Sequence, residues 1–269
     1  MNIGAVIMNK RKALGYTQQT LADKLNVSFQ AVSKWENGTN YPEVDMLPMI
    51  AKSLDTSIDS LLGYKSLIHS DYDKRYDMED YYWGITPNSL CYEVMKLRPP
   101  VKPLKVLDIG CGEGKDAVFF ARNGYIVTAF DLSETGIEKG KKLADGCNTY
   151  VDFFKADITD FRATEMYDIV FSSGVFHFIQ SEIREELISN LKEHTNKNGI
   201  HAMNVFVEKP FVKVPPDKDN NHFPWKSGEL FTHYHDWKLH KTEEIIFDCN
   251  SGGIPHQHCM DIMIAEKMK

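Results

Sequence analysis

Up to about residue 64 the apolar positions recur at helical spacing and are interrupted every ten residues or so; beyond residue 100 they gather into short continuous runs. Ile3, Ala5, Val6, Ile7 and Leu14 predict a first helix, which Gly15 ends with a left-handed cap. Thr17 is placed to cap a helix from Gln18 to Leu25 that turns Leu21, Ala22 and Leu25 inward and stops at Asn26. After a turn at Val27, Ser28 caps a third helix through Trp35, and Gly38 and Pro42 close it. A fourth helix (Val44 to Leu54) and a fifth (Ile58 to Leu62) complete an all-α domain of about five helices over 1–64. Residues 65–81 have little period and are rich in Asp and Tyr, so they read as a linker, either a connector or a lid.

From Tyr82 the pattern changes. An amphipathic stretch (Leu90 to Leu97) is stopped by Pro99, Pro100 and Pro103, and apolar runs follow at 105–109, 126–130, 150–155 and 167–173 with helical stretches between them. That alternation predicts an α/β domain over 82–269 with a Rossmann-like, mostly parallel sheet. Residues 207–228, with Pro210, Pro215, Pro216 and Pro224, form a long aperiodic segment, a candidate lid that Phe223 and Trp225 would help to close.

Composition adds limits. With 42% hydrophobic and 26% charged residues, the chain is expected to be a soluble globular protein rather than a disordered one. Five cysteines without a C-x-x-C pair suggest neither a disulfide framework nor a zinc ribbon, and point to a reducing cytoplasm. We expect no signal peptide and no membrane segment. Residues 1–64 carry six basic and six acidic side chains, so the net charge of -7 falls downstream. Most of the early positive charge lies between Lys10 and Lys34, which makes a cationic face possible on a neutral domain.

The candidate chemistry begins at Lys105-Val-Leu-Asp-Ile-Gly-Cys-Gly-Glu-Gly, a buried strand running into a glycine-rich turn. Gly110, Gly112 and Gly114 let the backbone approach a ligand. A dinucleotide fingerprint would need glycine where Lys115 stands, and Asp108 would repel a pyrophosphate while favouring the ammonium and sulfonium of S-adenosyl-L-methionine (SAM). Asp131, followed by Leu132, ends the second strand where an acidic residue can accept bonds from ribose hydroxyls. Asp157 and Ile158 follow the third strand, placed for the adenine, and Ser173 ends the fourth. With Cys111 in the turn, these are the candidate cofactor residues.

Two resemblances follow from these residues. Tyr16 through Thr39, containing Thr-Gln-Gln-Thr-Leu-Ala and Val-Ser-Lys-Trp-Glu-Asn-Gly, resembles the Xre/Cro-like helix-turn-helix family. The resemblance implies that the helix from Ser28 enters the major groove of double-stranded DNA, with Gln30 and Ser33 toward base edges, Gln18 and Lys34 toward phosphates and Phe29 near a thymine methyl. A dimer reading two half-sites would offset the weak binding of a neutral monomer. The second half resembles class I SAM-dependent methyltransferases, whose sheet has seven strands. Within them, Trp225 to Trp237 and the closing Met260-Asp-Ile-Met-Ile-Ala-Glu-Lys look like the tellurite-resistance (TehB-type) and thiopurine-methyltransferase-like group. That group implies methylation of small soft nucleophiles (thiol, selenium or tellurium species). Where its members can carry a His-Arg pair after the sixth strand, this chain reads Phe247-Asp-Cys-Asn.

His177, His256 and His258 are the candidate acid/base or acceptor-orienting groups; the other reading has His177 packed in the wall and the remaining two solvated. His-x-His pairs at 233 and 256, the second beside Cys259, lack a third and fourth ligand, so no metal is expected. A DNA methyltransferase is disfavoured because Ser172-Ser-Gly-Val stands where its Asn-Pro-Pro-aromatic motif would be. Two functions remain: a small-molecule methyltransferase fused to a transcription-regulating DNA-binding domain, or a regulator whose second domain only senses SAM or another small ligand.

Overall fold

The computed structural model describes residues 3–54, 56, 58–62, 72–213, 222–249 and 254–269. Residues 65–71 of the expected linker, Pro215 and Pro216 of the expected lid, and Asn250 lie outside them. The chain divides into two compact units, Met1–Ile68 and His69–Lys269.

The first unit holds α1 (Ile3–Ala13), α2 (Gln18–Leu25), α3 (Phe29–Glu36), a 3-10 turn (Val44–Met46), α4 (Leu47–Ser53) and α5 (Ile58–Leu62). Its caps are local. Thr17 Oγ1 accepts from the Thr20 amide at 3.0 Å and Ser28 Oγ from the Ala31 amide at 3.2 Å. Asn26 takes the left-handed conformation (φ 53°) that ends α2. The predicted fourth helix is split because Pro48, which lacks an amide hydrogen, fits the first turn of α4 and not its middle. Ile7, Leu21, Leu25, Val32, Trp35 and Ile50 form the core. Ala31 is half-buried beside them, so this face of α3 serves packing.

The second unit begins with α6 (Tyr72–Tyr76) and α7 (Ser89–Leu97) and continues β1 (Lys105–Ile109), α8 (Lys115–Arg122), β2 (Ile126–Asp131), α9 (Glu134–Gly146), β3 (Asp152–Lys155) and β4 (Tyr167–Ser173). After a 3-10 turn at Phe176–Phe178 come α10 (Ser181–Glu193), β5 (Thr195–Val207), α11 (Glu229–Thr232), β6 (Lys238–Cys249) and β7 (His256–Glu266). The strands form one seven-stranded sheet in the order β3-β2-β1-β4-β5-β7-β6, with β7 antiparallel to both neighbours. Helices α7, α8 and α9 bury Leu90, Val94, Phe120 and Ile137 against one face. On the other, α10 and α11 bury Leu187, Leu191 and Leu230. Central β4 is therefore apolar on both sides, whereas edge strand β6 carries Lys241, Glu243 and Glu244. No helix among the described residues is long and apolar enough to cross a membrane.

Two expectations change here. The latter part of the expected linker packs on the second unit. Tyr76 is buried, and Lys139 Nζ, itself almost inaccessible, donates to the carbonyls of Met78 (2.9 Å) and Asp80 (2.7 Å) while pairing with Glu113 at 2.6 Å. A buried ammonium needs several acceptors, and this segment supplies them. Trp225 is not a lid residue: it is 1% exposed, its Nε1 donates to the Phe176 carbonyl at 3.0 Å, and Arg184 stacks 4.1 Å from its ring centroid.

His201 lies on β5 at the centre of the second core, between Thr195 Oγ1 (2.8 Å) and Tyr234 Oη (2.7 Å). Burial, with Lys192 and Lys267 nearby, lowers its pKa to about 3. Thr195 donates to the Leu191 carbonyl, so His201 Nε2 must donate to Thr195. The imidazole is neutral when folded and titrates near 6.5 when unfolded. The unfolded state thus binds the extra proton between those values, and stability falls as pH drops from about 6.5 toward 3, by at most about 1.4 kcal/mol per unit from this residue. Urea unfolding of wild type and His201→Gln at pH 7, 5 and 4 is expected to show a shallower acid loss in the variant.

Candidate functional site

In the first unit, α3 presents one polar face. Gln30 and Lys34 are exposed, Phe29 is 42% exposed and Ser33 half-exposed, while Val32 and Trp35 face inward. Ser28 spends its hydroxyl on the cap, accepting from the Ala31 amide. Gln18 differs from the expectation: its side-chain amide donates to Glu36 Oε2 at 2.7 Å instead of pointing outward. Glu36 also receives a two-pronged bond from Arg11, at 2.6 and 2.8 Å. Burial pushes the Glu36 carboxyl up, but the bonds from Arg11 and Gln18 outweigh it and hold the carboxyl below its usual value. This buried pair, twenty-five residues apart in sequence, joins α1 to α3 and was hidden because each charge looks like a surface residue locally.

In the second unit the glycine turn lies at the carboxyl ends of the parallel strands, beside the point where strand order reverses between β2-β1 and β4-β5. Gly110, Gly112 and Gly114 have φ of 70°, 53° and 82°. A Cβ on Gly110 would fall 2.3 Å from Val175, and one on Gly114 would fall 2.8 Å from the Gly140 backbone. Asp131 holds the turn: Oδ2 accepts from the Gly112 amide (2.8 Å) and Oδ1 from the Ser133 amide (2.9 Å). The expected ribose acceptor thus already has two backbone donors, with lone pairs to spare on each oxygen. Leu132 is half-exposed next to it. Asp157 closes a turn by accepting from the Thr159 amide (2.9 Å) and hydroxyl (2.7 Å), and Ile158 is buried in the core. Cys111 is half-buried in the turn with its Sγ 3.9 Å from the Gly112 carbonyl.

The charge here is one-sided. Asp108 is 2% exposed, takes a backbone bond from Ala117, and leaves Oδ2 without a hydrogen-bond partner among the described residues. Burial first, then the nearby Asp116 and Asp131, holds its carboxyl well above the usual carboxylate value. Burial also raises Asp116 and Asp131, against the amide bonds that each accepts. Such a group of carboxyls favours a cationic ligand, and the unpartnered Asp108 oxygen is an acceptor of the kind that the SAM ammonium requires.

Nothing local in the sequence marks the partners of Ser173. Its Oγ accepts from Asn88 Nδ2 (2.9 Å) and Asn204 Nδ2 (3.0 Å), leaving its own proton to donate. The Asn88 amide in turn binds Asp116, and Asn204 Oδ1 accepts from the Gly174 amide. Tyr76 is unmarked as well. It lies over Gly112 and Gly136, and its hydroxyl accepts from Trp83 Nε1 at 3.3 Å.

His177 sits in the 3-10 turn after β4, 2% exposed, between Phe178, Phe206 and His222. Its Nδ1 has no hydrogen-bond partner among the described residues. Burial, reinforced by His222 and His258, holds its pKa well below the ordinary histidine value. His256 and His258 are half-buried and bonded to each other, Nε2 to Nε2 at 2.8 Å. The three expected histidines thus lie near one another as a wall residue, His177, and a pair at the start of β7, with Phe206 touching both His177 and His258.

Alanine at Gly112 would carry left-handed strain and place its Cβ 2.8 Å from the Tyr76 hydroxyl oxygen. Gly112→Ala is therefore expected to destabilise the protein by about 1–2 kcal/mol from strain plus a contact cost. The contact cost should shrink in a Tyr76→Phe background, as read by thermal unfolding of the two single variants and the double variant. Strict additivity would show that the hydroxyl is not the obstacle.

Comparison with known proteins agrees with both halves. Residues 72–251 match the family model described as tellurite resistance protein TehB, and residues 7–61 match a helix-turn-helix family model. A protein of Haemophilus influenzae (strain 10810) named "Probable S-adenosyl-L-methionine-dependent methyltransferase TehB" is 27% identical over 203 residues, covering 72% of this chain and 67% of its own length. The crystal structure of TehB from Haemophilus influenzae superposes with a TM-score of 0.60 at 25% identity, covering 73% of this chain and 65% of that one. The fold is shared with Burkholderia thailandensis 1,6-didemethyltoxoflavin-N1-methyltransferase, solved with bound S-adenosylhomocysteine: TM-score 0.59, 18% identity, 77% of this chain and 90% of that one.

Proposed function

Because the chain belongs to the TehB family of SAM-dependent methyltransferases and carries a helix-turn-helix domain ahead of that part, we propose that it methylates a small soft nucleophile and regulates transcription through its first unit. The acceptor class is a thiol, selenium or tellurium species, and the setting a reducing cytoplasm, in keeping with five cysteines that form no disulfide among the described residues. Asp108, the Gly110–Gly114 turn with Cys111, Asp131 and Leu132, Asp157 with Ile158, and Ser173 hold SAM. Bound there, SAM supplies an electrophilic methyl on a sulfonium, which leaves as a neutral thioether when the acceptor's lone pair attacks.

The observation that carries the acceptor class is His177. His177 is buried among Phe178, Phe206 and His222, where an added positive charge would be poorly solvated, so the imidazole is a weak proton acceptor. A hydroxyl acceptor would need a strong base, whereas a thiolate or chalcogen anion arrives with its lone pair available. His177 then orients the acceptor through Nδ1 and leaves it ionised. Phe178, Phe206 and His222 around it keep water from the reacting atoms.

On the first unit, Gln30 and Ser33 read base edges while Lys34, the Ser28 end of α3 and the start of α2 at Gln18 meet phosphates, with Phe29 against a thymine methyl. A homodimer on a two-fold operator supplies the affinity that one neutral unit lacks. In an operator gel-shift, Gln30→Ala is expected to cost about 1–3 kcal/mol and to relax sequence preference, whereas Lys34→Ala weakens all sequences alike.

A second reading, a SAM-sensing regulator without turnover, is favoured by Tyr76, which lies directly on the glycine turn. Calorimetric titration of the full chain with SAM and S-adenosylhomocysteine comes first. Asp131→Ala is expected to lose at least tenfold in affinity. Binding of the cation should also drive protons off the Asp108 cluster, giving a heat that depends on the buffer and diminishes in Asp108→Asn. No binding by wild type would sink both readings of the second unit. Binding without turnover of thiols, selenite or tellurite would leave the sensor.

A further inference from the structure

The carboxyl end of the sheet carries a second cluster, separate from the glycine turn. In the β6–β7 hairpin Cys249 pairs across the ladder with His256, and His258 follows two residues on, so all three share one face of the sheet. Donor atoms of Cys249, His256 and His258 all lie within 4.8 Å of one another. All three residues are half-buried. Cys259, the neighbour that the sequence suggests as a ligand, points to the opposite face and is buried in the core between the sheet and α10–α11.

The orientation of His256 is set from behind. Its Nδ1 lies 2.7 Å from the Ile254 carbonyl, which can only accept, so Nδ1 carries the proton and the lone pair sits on Nε2. That lone pair faces His258 Nε2. A backbone carbonyl fixing the far nitrogen while the near one faces other donors is the usual support of a metal-bound histidine. A tetrahedral ion at ordinary Zn–N and Zn–S lengths needs its donors about 3.3–3.6 Å apart. The donors, within 4.8 Å of one another with the His pair at 2.8 Å, are close to that spacing and need the His pair to open slightly.

We propose that Cys249, His256 and His258 form a binding site for a divalent transition metal of the zinc class, with a fourth coordination position left to water or a small soft anion. One thiolate and two imidazoles suit a borderline-soft ion and disfavour magnesium or calcium, which take oxygen ligands. Binding displaces the Cys249 thiol proton to solvent. The site stands whether or not the glycine turn supports methyl transfer.

The probe is Co2+ added to the purified, chelator-treated full chain, followed by Zn2+ to displace it. One Co2+ per chain is expected, with a near-ultraviolet thiolate-to-cobalt charge-transfer band that Zn2+ abolishes. Cys249→Ser should lose the band, and His256→Ala or His258→Ala should weaken binding at least tenfold. In the unmodified protein, Zn2+ should protect Cys249 from iodoacetamide while Cys147 continues to react, as read by peptide mass; this measurement depends on no variant's folding. Absence of stoichiometric cobalt binding, a charge-transfer band that survives in Cys249→Ser, or alkylation of Cys249 unaffected by Zn2+ overturns the proposal.

Discussion

The geometry of the second unit depends on one carboxylate. Asp131 accepts the Gly112 and Ser133 amides, tying the turn after β1 to the turn after β2. That bridge fixes the Gly112 amide in a turn whose alternate glycines, Gly110, Gly112 and Gly114, all take positive φ. Ser133 also caps α9 locally through the Gly136 amide, while distant partners come from the segment before α7: Tyr76 covers Gly112, and Asp73 bonds the Ser133 hydroxyl. A segment that has no period of its own thus packs on the turn.

Buried charge is treated in two ways. Arg11 with Glu36, Lys139 with Glu113 and Arg184 with Glu229 are matched pairs, each with at least one strongly buried member and short bonds. Removing one partner of such a pair generally costs about 3–5 kcal/mol, because the other is left buried and unpaired. Asp108, Asp116 and Asp131 are instead buried without such a matched pair, and burial above all raises their carboxyls above the usual value, with like charge adding to it at Asp108 and Asp131. A fold selected only for stability would pair or remove them. Buried carboxyls without a cation partner mark a place suited to a cationic ligand, and the folded state bears their cost.

The remaining chemistry lies at the same end of the sheet because of topology. Parallel strands β1, β2, β4 and β5 deliver their following turns to one edge, and antiparallel β7 brings its beginning there together with the end of β6. His177, which follows β4, and the cluster of Cys249, His256 and His258 therefore lie on the side of the sheet that holds the glycine turn. Phe206 at the end of β5 touches both groups, with ring centroids 4.6 Å from His177 and 4.7 Å from His258.

Signals that act within a few residues were legible in the sequence. The caps at Thr17 and Ser28, the helix end at Asn26, the glycine turn and the apolar runs of the central strands each follow from local sterics or a period. The second ligand-bearing strand was legible only as His-x-His, because the third donor, Cys249, reaches it through strand register. What the tertiary structure decided were long-range pairings of groups that look solvent-exposed in isolation. Arg11 meets Glu36, Gln18 turns inward to the same carboxylate, Trp225 is drawn into the core by Arg184 and the Phe176 carbonyl, and Tyr76 folds over Gly112. A polar side chain's local sequence records that it needs a partner. Which partner satisfies it depends on which backbone segments the sheet and helices bring within about 3 Å, and that is a property of the whole fold.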